Sequence, residues 1–336
     1  MTVQSIGDQA RALAMQAASN RLKTTLATLT AELTSGEVAD LGARLDGKTQ
    51  NLTGIEARLA MLAQFKSNAA EAAAHTAGMQ DALTAIHTMS EKLGQSLYID
   101  VAATTDALVR ARSSEASTMF QTVVGRLNAS VGQRFLFSGI ASDTPPLIPA
   151  DDILAELSVV VGGLTTAADV AQAVSDWFDA PAGTGGYADF AYRGRAEGQA
   201  TPVGEDTTLM LDTTALASSV RDNLKGLAAA ALVDRGVLAG NPQEERALLK
   251  GAGKSLVDNS PALVTEMAQV GYAQQVIAST LTEGEAASAT LQTARNTLRE
   301  ADPYATATAL SDAETRLQTL YAVIGRLSQL KLVDYI

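Results

Sequence analysis

All eight prolines of this 336-residue chain lie between Pro145 and Pro303, so the first 144 residues and the last 33 contain none. A proline inside a helix removes a hydrogen bond, clashes with the preceding turn and costs about 3 kcal/mol. Its absence permits long uninterrupted helices at both ends. Both ends also carry the matching apolar pattern. Met15, Ser19, Leu22, Leu26, Leu29 and Leu33 step alternately by four and three, and Leu310, Ala313, Leu317, Leu320, Ile324 and Leu327 do the same. An average step of 3.5 residues puts each set on one stripe of a helix, as a coiled-coil seam requires. Asp302 can cap the last helix, and Pro303 suits its first position, where the missing N–H costs nothing.

Between the stripes a longer pattern begins at Leu52, Ile55, Leu59 and Leu62 and drifts through Met79, Leu83, Ile86, Leu93 and Leu97. If helical throughout, it reaches about 75 Å at 1.5 Å per residue. Further helices are expected from about Thr105 to Val131 and from about Pro261 to Arg299. The middle differs in composition. Five of the 14 aromatics are Trp177, Phe178, Tyr187, Phe190 and Tyr192, and TPPLIP and APAGTGG are turn-rich breakers. Ala167 to Phe178 reads as a short helix, and YADFAYRG and TTLMLD alternate as short strands do. The expected fold is mainly α: a long antiparallel helical rod with N- and C-terminal coiled-coil helices and a small inserted α+β domain. Its expected divisions are residues 1–40 with 300–336 (terminal helices), 41–139 with 217–299 (rod) and 140–216 (insert).

Composition removes several function classes. Without cysteine there are no disulfides and no thiolate chemistry. His75 and His87, the two histidines, lie about 18 Å apart if on one helix, too far to share a metal. A net charge of −12 leaves no basic face for nucleic acid. No run of about 18 apolar residues spans a membrane. MTVQSIGDQARALAMQAASNRL lacks the basic start and apolar block of a cleaved signal peptide, which leaves a cytosolic protein or export with the N-terminus uncut. Gly251-Ala252-Gly253-Lys254-Ser255 imitates the end of a phosphate loop, but Leu248 stands where its first glycine belongs and the surrounding residues read as helix. Asp151/Asp152 and Glu244/Glu245 read as solvated loop or helix-start charges, too few to converge on a cation. No catalytic, cofactor or metal site is expected. The expected interaction site is the pair of stripes: Met15, Leu22, Leu26, Leu29 and Leu33 with Leu310, Leu317, Leu320, Ile324 and Leu327. Pairing the two terminal helices with each other covers one side of each, so folding on assembly with partner molecules follows as an expectation.

Several segments resemble a known family. LSDAETRLQTLYAVIGRLSQLKLVDYI is similar to the Leu-rich C-terminal helix of bacterial flagellins and flagellar hook-associated proteins, with ADPYATATAL as its lead-in and QVGYAQQVI, with Gln269 and Gly271, resembling an earlier family helix. GQRFLFSGIASDTPPL, with Phe135, Leu136, Phe137, Ser138 and Gly139, resembles the Gly-X-Tyr-Leu-Phe-Ser-Gly segment of the hook–filament junction member, whereas filament flagellins usually carry an Asn-Phe-Asn-Gly type there. The resemblance covers about residues 1–140 and 220–336. It departs where SGEVADLGARLDGKTQNLTGIEARL replaces an acidic turn, where Phe135 replaces the usual Tyr, and where Lys331 replaces a small residue. The resemblance implies a non-enzymatic structural protein of the extracellular flagellum, exported by the type III route without signal-peptide cleavage. Implied partners are itself in a ring, the first hook-associated protein on the hook side, flagellin on the filament side and an export chaperone. Filament flagellin, or a soluble coiled-coil adaptor from another class, are the alternatives.

Overall fold

Helices dominate the computed structural model, which describes residues 3–100 and 105–333. Along the chain run α1 (Val3–Ser35), the single turn α2 (Leu41–Arg44), α3 (Gln50–Asp100) and α4 (Asp106–Leu127). A hairpin of β1 (Ser130–Val131) and β2 (Arg134–Phe135) precedes α5 (Ala150–Val160), α6 (Ala167–Asp179) and α7 (Tyr187–Phe190). The strands β3 (Gln199–Pro202) and β4 (Thr208–Leu211) lead to α8 (Ser218–Asp234), α9 (Pro242–Arg299) and α10 (Pro303–Val333). The fold is mainly α with a little strand, as expected. Two compact units divide it: one takes residues up to Met61 and from Ala286 onward, the other runs from Leu62 to Glu285.

The continuous unit is built around α8. Most of α8 is buried, including the run Ala228 to Ala231, and it packs against α4, α5 and α6. Small side chains let those neighbours approach closely, so a helix with few large residues still lies at the centre of the core. Phe120, Phe137, Phe178 and Tyr187 are fully buried in the same continuous cluster, which joins residues of α3, α4, α8 and α9 to the segment 140–216. Trp177, Phe178, Tyr187 and Phe190 meet mainly edge to face, with centroid separations from 5.0 to 6.4 Å. A second cluster seats Val203 and Leu209 of the β3–β4 hairpin on Ala69, Ala72, Ala273 and Ile277.

Glycine fixes how closely three helices cross. A Cβ on Gly253 would lie 2.7 Å from the Gly94 carbonyl oxygen and 2.8 Å from the Tyr98 amide nitrogen, and one on Gly226 would strike Leu256 at 2.8 Å. Thus Gly253 belongs to a helix crossing, inside the first part of α9, and the string around it is no phosphate loop.

Three boundaries differ from the sequence reading. Instead of starting at Pro261, α9 starts at Pro242 and carries Pro261 inside. Ser260 bonds His87 Nε2 at 2.9 Å and Asn259 donates to the Ser219 carbonyl at 2.8 Å, so tertiary contacts hold the helix at the proline. The stretch YADFAYRG is not a strand but the helical turn α7, because the Asp189 carboxylate accepts from the Gly183 and Gly185 amides at 2.8 Å and Gly186 begins the turn. The helix expected to reach Val131 stops at Leu127, where the Asn128 side chain exchanges two 2.9 Å hydrogen bonds with the Leu147 backbone.

Candidate assembly seam and the Phe-Leu-Phe-Ser-Gly node

In the discontinuous unit α1 lies antiparallel against α10, and the two apolar stripes meet. Ser19 and Ala313 are buried at the seam. Met15, Leu22, Leu26 and Leu29 on one side are half-buried, as are Leu310, Leu317, Leu320 and Ile324 on the other. Leu33 remains 41% exposed, and the side chain of Leu327 lies outside the described ones. A two-helix seam covers only the facing half of each side chain, which accounts for the intermediate burial. Further apolar surface points away from the seam: Leu13 at 68%, Tyr304 at 84% and Val323 at 44% exposure, none of which the heptad count picked out.

Local chemistry sets the ends of these helices. Asp302 Oδ1 accepts from the Tyr304 and Ala305 amides at 2.9 and 3.1 Å, so the expected cap on α10 is present. Gly36, at φ +72°, ends α1 in the left-handed region where a side chain is strained. Around the two ends the backbone pairs: the Val38 amide donates to the Arg299 carbonyl at 2.8 Å and the Ala301 amide to the Gly36 carbonyl at 2.9 Å, flanking an antiparallel bridge between Glu37 and Glu300. Arg299 completes the junction, reaching Glu37 at 2.8 Å and Glu56 at 3.6 Å. Nothing local in the sequence announces this arginine, whose partner Glu37 is 262 residues away. Further along, the Tyr321 hydroxyl oxygen accepts from the side chains of Ser19 and Lys23, which holds its pKa below the usual phenol value.

The family motif forms a node in the other unit. Phe135 pairs with Ser130 in the β1–β2 hairpin, whose turn uses Gly132 and Gln133 at φ +58° and +66°. Leu136, Phe137 and Ser138 are buried. The Phe137 carbonyl accepts from the Ala215 amide at 3.0 Å, and the Ser138 carbonyl from the Arg195 amide at 2.9 Å. Ser138 Oγ donates to the Thr144 carbonyl at 2.6 Å. Gly139, at φ +63°, is required twice over: its conformation is left-handed, and a Cβ there would lie 2.0 Å from the Arg195 carbonyl oxygen. The motif therefore acts as a buried turn that ties the hairpin to segments 57 to 78 residues further along.

Beside this node a cleft of about 220 Å³ is lined by His75, Glu71 and Arg134. Arg134 pairs with Glu71. Burial, followed by the charge of Arg134, holds the His75 imidazole below its ordinary pKa, although a hydrogen bond to the Leu136 backbone opposes this. Of the acidic pairs, Asp151 binds Arg235, and Glu244 accepts from the Ala167 amide at 2.6 Å at the start of α6. Among the described residues no three metal-ligating side chains cluster, and no helix is long and apolar enough to cross a membrane.

Residues 257–336 match the bacterial flagellin C-terminal helical region. The fold is similar to that of a protein assigned as a flagellar hook-associated protein from Vibrio parahaemolyticus, with a TM-score of 0.51 and 15% identity, over 74% of this chain and 96% of that one. At that identity the likeness speaks for the fold alone. No curated protein sequence matches the chain. The match thus falls on the C-terminal helical region, where part of the resemblance to flagellins was drawn from the sequence.

Proposed function

We propose that this chain is a structural subunit of the bacterial flagellum, of the hook-associated protein 3 type, which joins hook to filament and adapts one axial lattice to the other. The observation that carries the reading is the half-covered seam. Two heptad stripes from opposite ends of the chain meet, yet leave their outer flanks open to further copies. In that role α1 and α10 form the inner tube, the longer helices the layer around it, and residues 140–216 the outermost part. The partners are further copies in a ring, the first hook-associated protein and flagellin at the two faces, and an export chaperone before assembly. The role contains no catalytic step, and it places the chain outside the cell without signal-peptide cleavage.

Filament flagellin is the second reading, favoured by the match to the flagellin C-terminal region. The Phe-Leu-Phe-Ser-Gly node supports the junction type instead. Deleting the gene and viewing the cells by electron microscopy separates the two. Hooks without filaments, with flagellin shed into the medium, are expected for the junction subunit. Intact filaments would refute both readings, and loss of filaments without shed flagellin would favour filament flagellin.

A further inference from the structure

Heptad stripes decide which faces of two helices meet, but they do not decide how far along each other the helices lie. Pairing Met15 with Ile324, Leu22 with Leu317 and Leu29 with Leu310 matches five of the six positions of each stripe and leaves Leu33 and Leu327 outside. Sliding α10 by one heptad, about 10 Å at 1.5 Å per residue, pairs Leu22 with Ile324 and Leu29 with Leu317 and again matches five of the six, now leaving Met15 and Leu310 outside. Burial at the seam therefore discriminates poorly between the two alignments. Something outside the stripes has to choose.

The junction between the ends of α1 and α10 supplies a choice that has no repeat. Its two backbone hydrogen bonds, Val38 to Arg299 and Ala301 to Gly36, admit one alignment only. The Arg299 guanidinium adds two carboxylates from separate segments, Glu37 and Glu56, and with its side chain 31% exposed it is partly shielded from solvent. From that fixed point the alignment carries along the helices. Tyr321 lies 21 residues past Glu300 and binds Ser19, which lies 18 residues before Glu37. The difference of three residues is less than half of the seven that a slip requires, so the contact belongs to the alignment that pairs Met15 with Ile324.

We propose that the junction of Glu37, Glu56 and Arg299 with its paired backbone is the register-setting device of the terminal seam. It holds α1 and α10 in one of the two alignments that the stripes allow equally well. The inference rests on reading the seam as an assembly surface only for its biological use; the alignment itself is a property of the single chain. Arginine is needed because its planar fork serves two carboxylates at once, which a lysine point charge does not.

The natural absence of cysteine makes the test direct. In the full-length chain, Ser19→Cys with Leu320→Cys reports the matched alignment, and Leu26→Cys with Leu320→Cys reports the slipped one. With the junction intact, the matched pair is expected to cross-link about tenfold faster under mild oxidation. Combining Arg299→Gln with Glu37→Gln should bring the two rates within about a factor of two while circular dichroism shows unchanged helix content. Exchanging all three charges, Glu37→Arg and Glu56→Arg with Arg299→Glu, should restore much of the preference. Equal rates with the junction intact would overturn the proposal, as would a preference that survives its removal. A loss of helix content in step with the loss of preference would also overturn it, by making the junction a mere stabiliser. None of these outcomes depends on whether the gene deletion removes filaments, so the two readings fail separately.

Discussion

Gly251 and Gly253 lie two residues apart in α9, and alanine should act on them with opposite sign. In a helix interior, alanine is favoured over glycine by about 1 kcal/mol. A Cβ at Gly251 meets nothing within 4 Å, so Gly251→Ala should realise most of that gain. At Gly253 the same Cβ falls 2.7 Å from Leu97 Cβ and 2.7 Å from the Gly94 carbonyl oxygen. It is thus roughly 0.7 Å inside comfortable van der Waals separation from atoms that include backbone and cannot rotate away. Forcing α3 and α9 apart carries an overpacking cost of about 1–3 kcal/mol, and the crossing sits beside Gly226 of α8, which is equally tight. A net loss of about 1–2 kcal/mol is expected for Gly253→Ala. Trp177, the single tryptophan, is buried in the same unit, so urea unfolding followed by its fluorescence reports the change. With a slope of about 3 kcal/mol/M, the midpoint should rise by about 0.3 M for Gly251→Ala and fall by about 0.5 M for Gly253→Ala. Shifts of the same sign in both variants would refute the view that helix proximity, not helix propensity, dictates glycine at Gly253.

Gly139→Ala should be among the most damaging single changes, losing about 2–4 kcal/mol from left-handed strain and from the contact with the Arg195 carbonyl, as read by the same urea titration. His75 has a folded-state pKa below its unfolded value, so its contribution to stability is present above about pH 6.5 and is lost as the pH falls from there through the lower folded value. The urea midpoint should therefore drop between pH 7.5 and 5.5 in the natural chain and drop less in His75→Gln. Placing aspartate at Leu317 and Ile324 puts two carboxylates on the seam and should abolish assembly, seen as immotile cells, while the protein still appears in the medium; normal motility would contradict the seam.

The features legible from sequence were those written in local pattern. Proline-free ends, heptad spacing and the Asp302–Pro303 start each encode helix without help from distant residues, and the structure contains each of them. Where partners far along the chain decide, local pattern misleads. Pro261 reads as a helix start, yet Asn259 and Ser260 are held by α8 and α3 on the buried side. The exposed positions of Pro261 and Val257 let water take up the carbonyl left without a donor. YADFAYRG reads as a strand, but the glycines before it let Asp189 wind the segment into a turn. The Arg299 junction was invisible for the same reason, since its meaning arises only when Glu37 and Glu56 arrive beside it.

The division of the chain into a continuous and a discontinuous unit also imposes an order in time. Residues 62–285 contain everything their own core needs, whereas α1 must wait for α10, at the opposite extreme of the chain, before its stripe is covered. Contacts between such distant segments form late in folding, because the long loop between them has first to be closed. Folding of the continuous unit removes most of that loop's freedom and makes the terminal pairing easier. Whichever end emerges first from a ribosome or a channel, one apolar stripe stands unpartnered until the last helix arrives. During that interval the chain is most open to a wrong partner, and protection of a terminal helix matters most then.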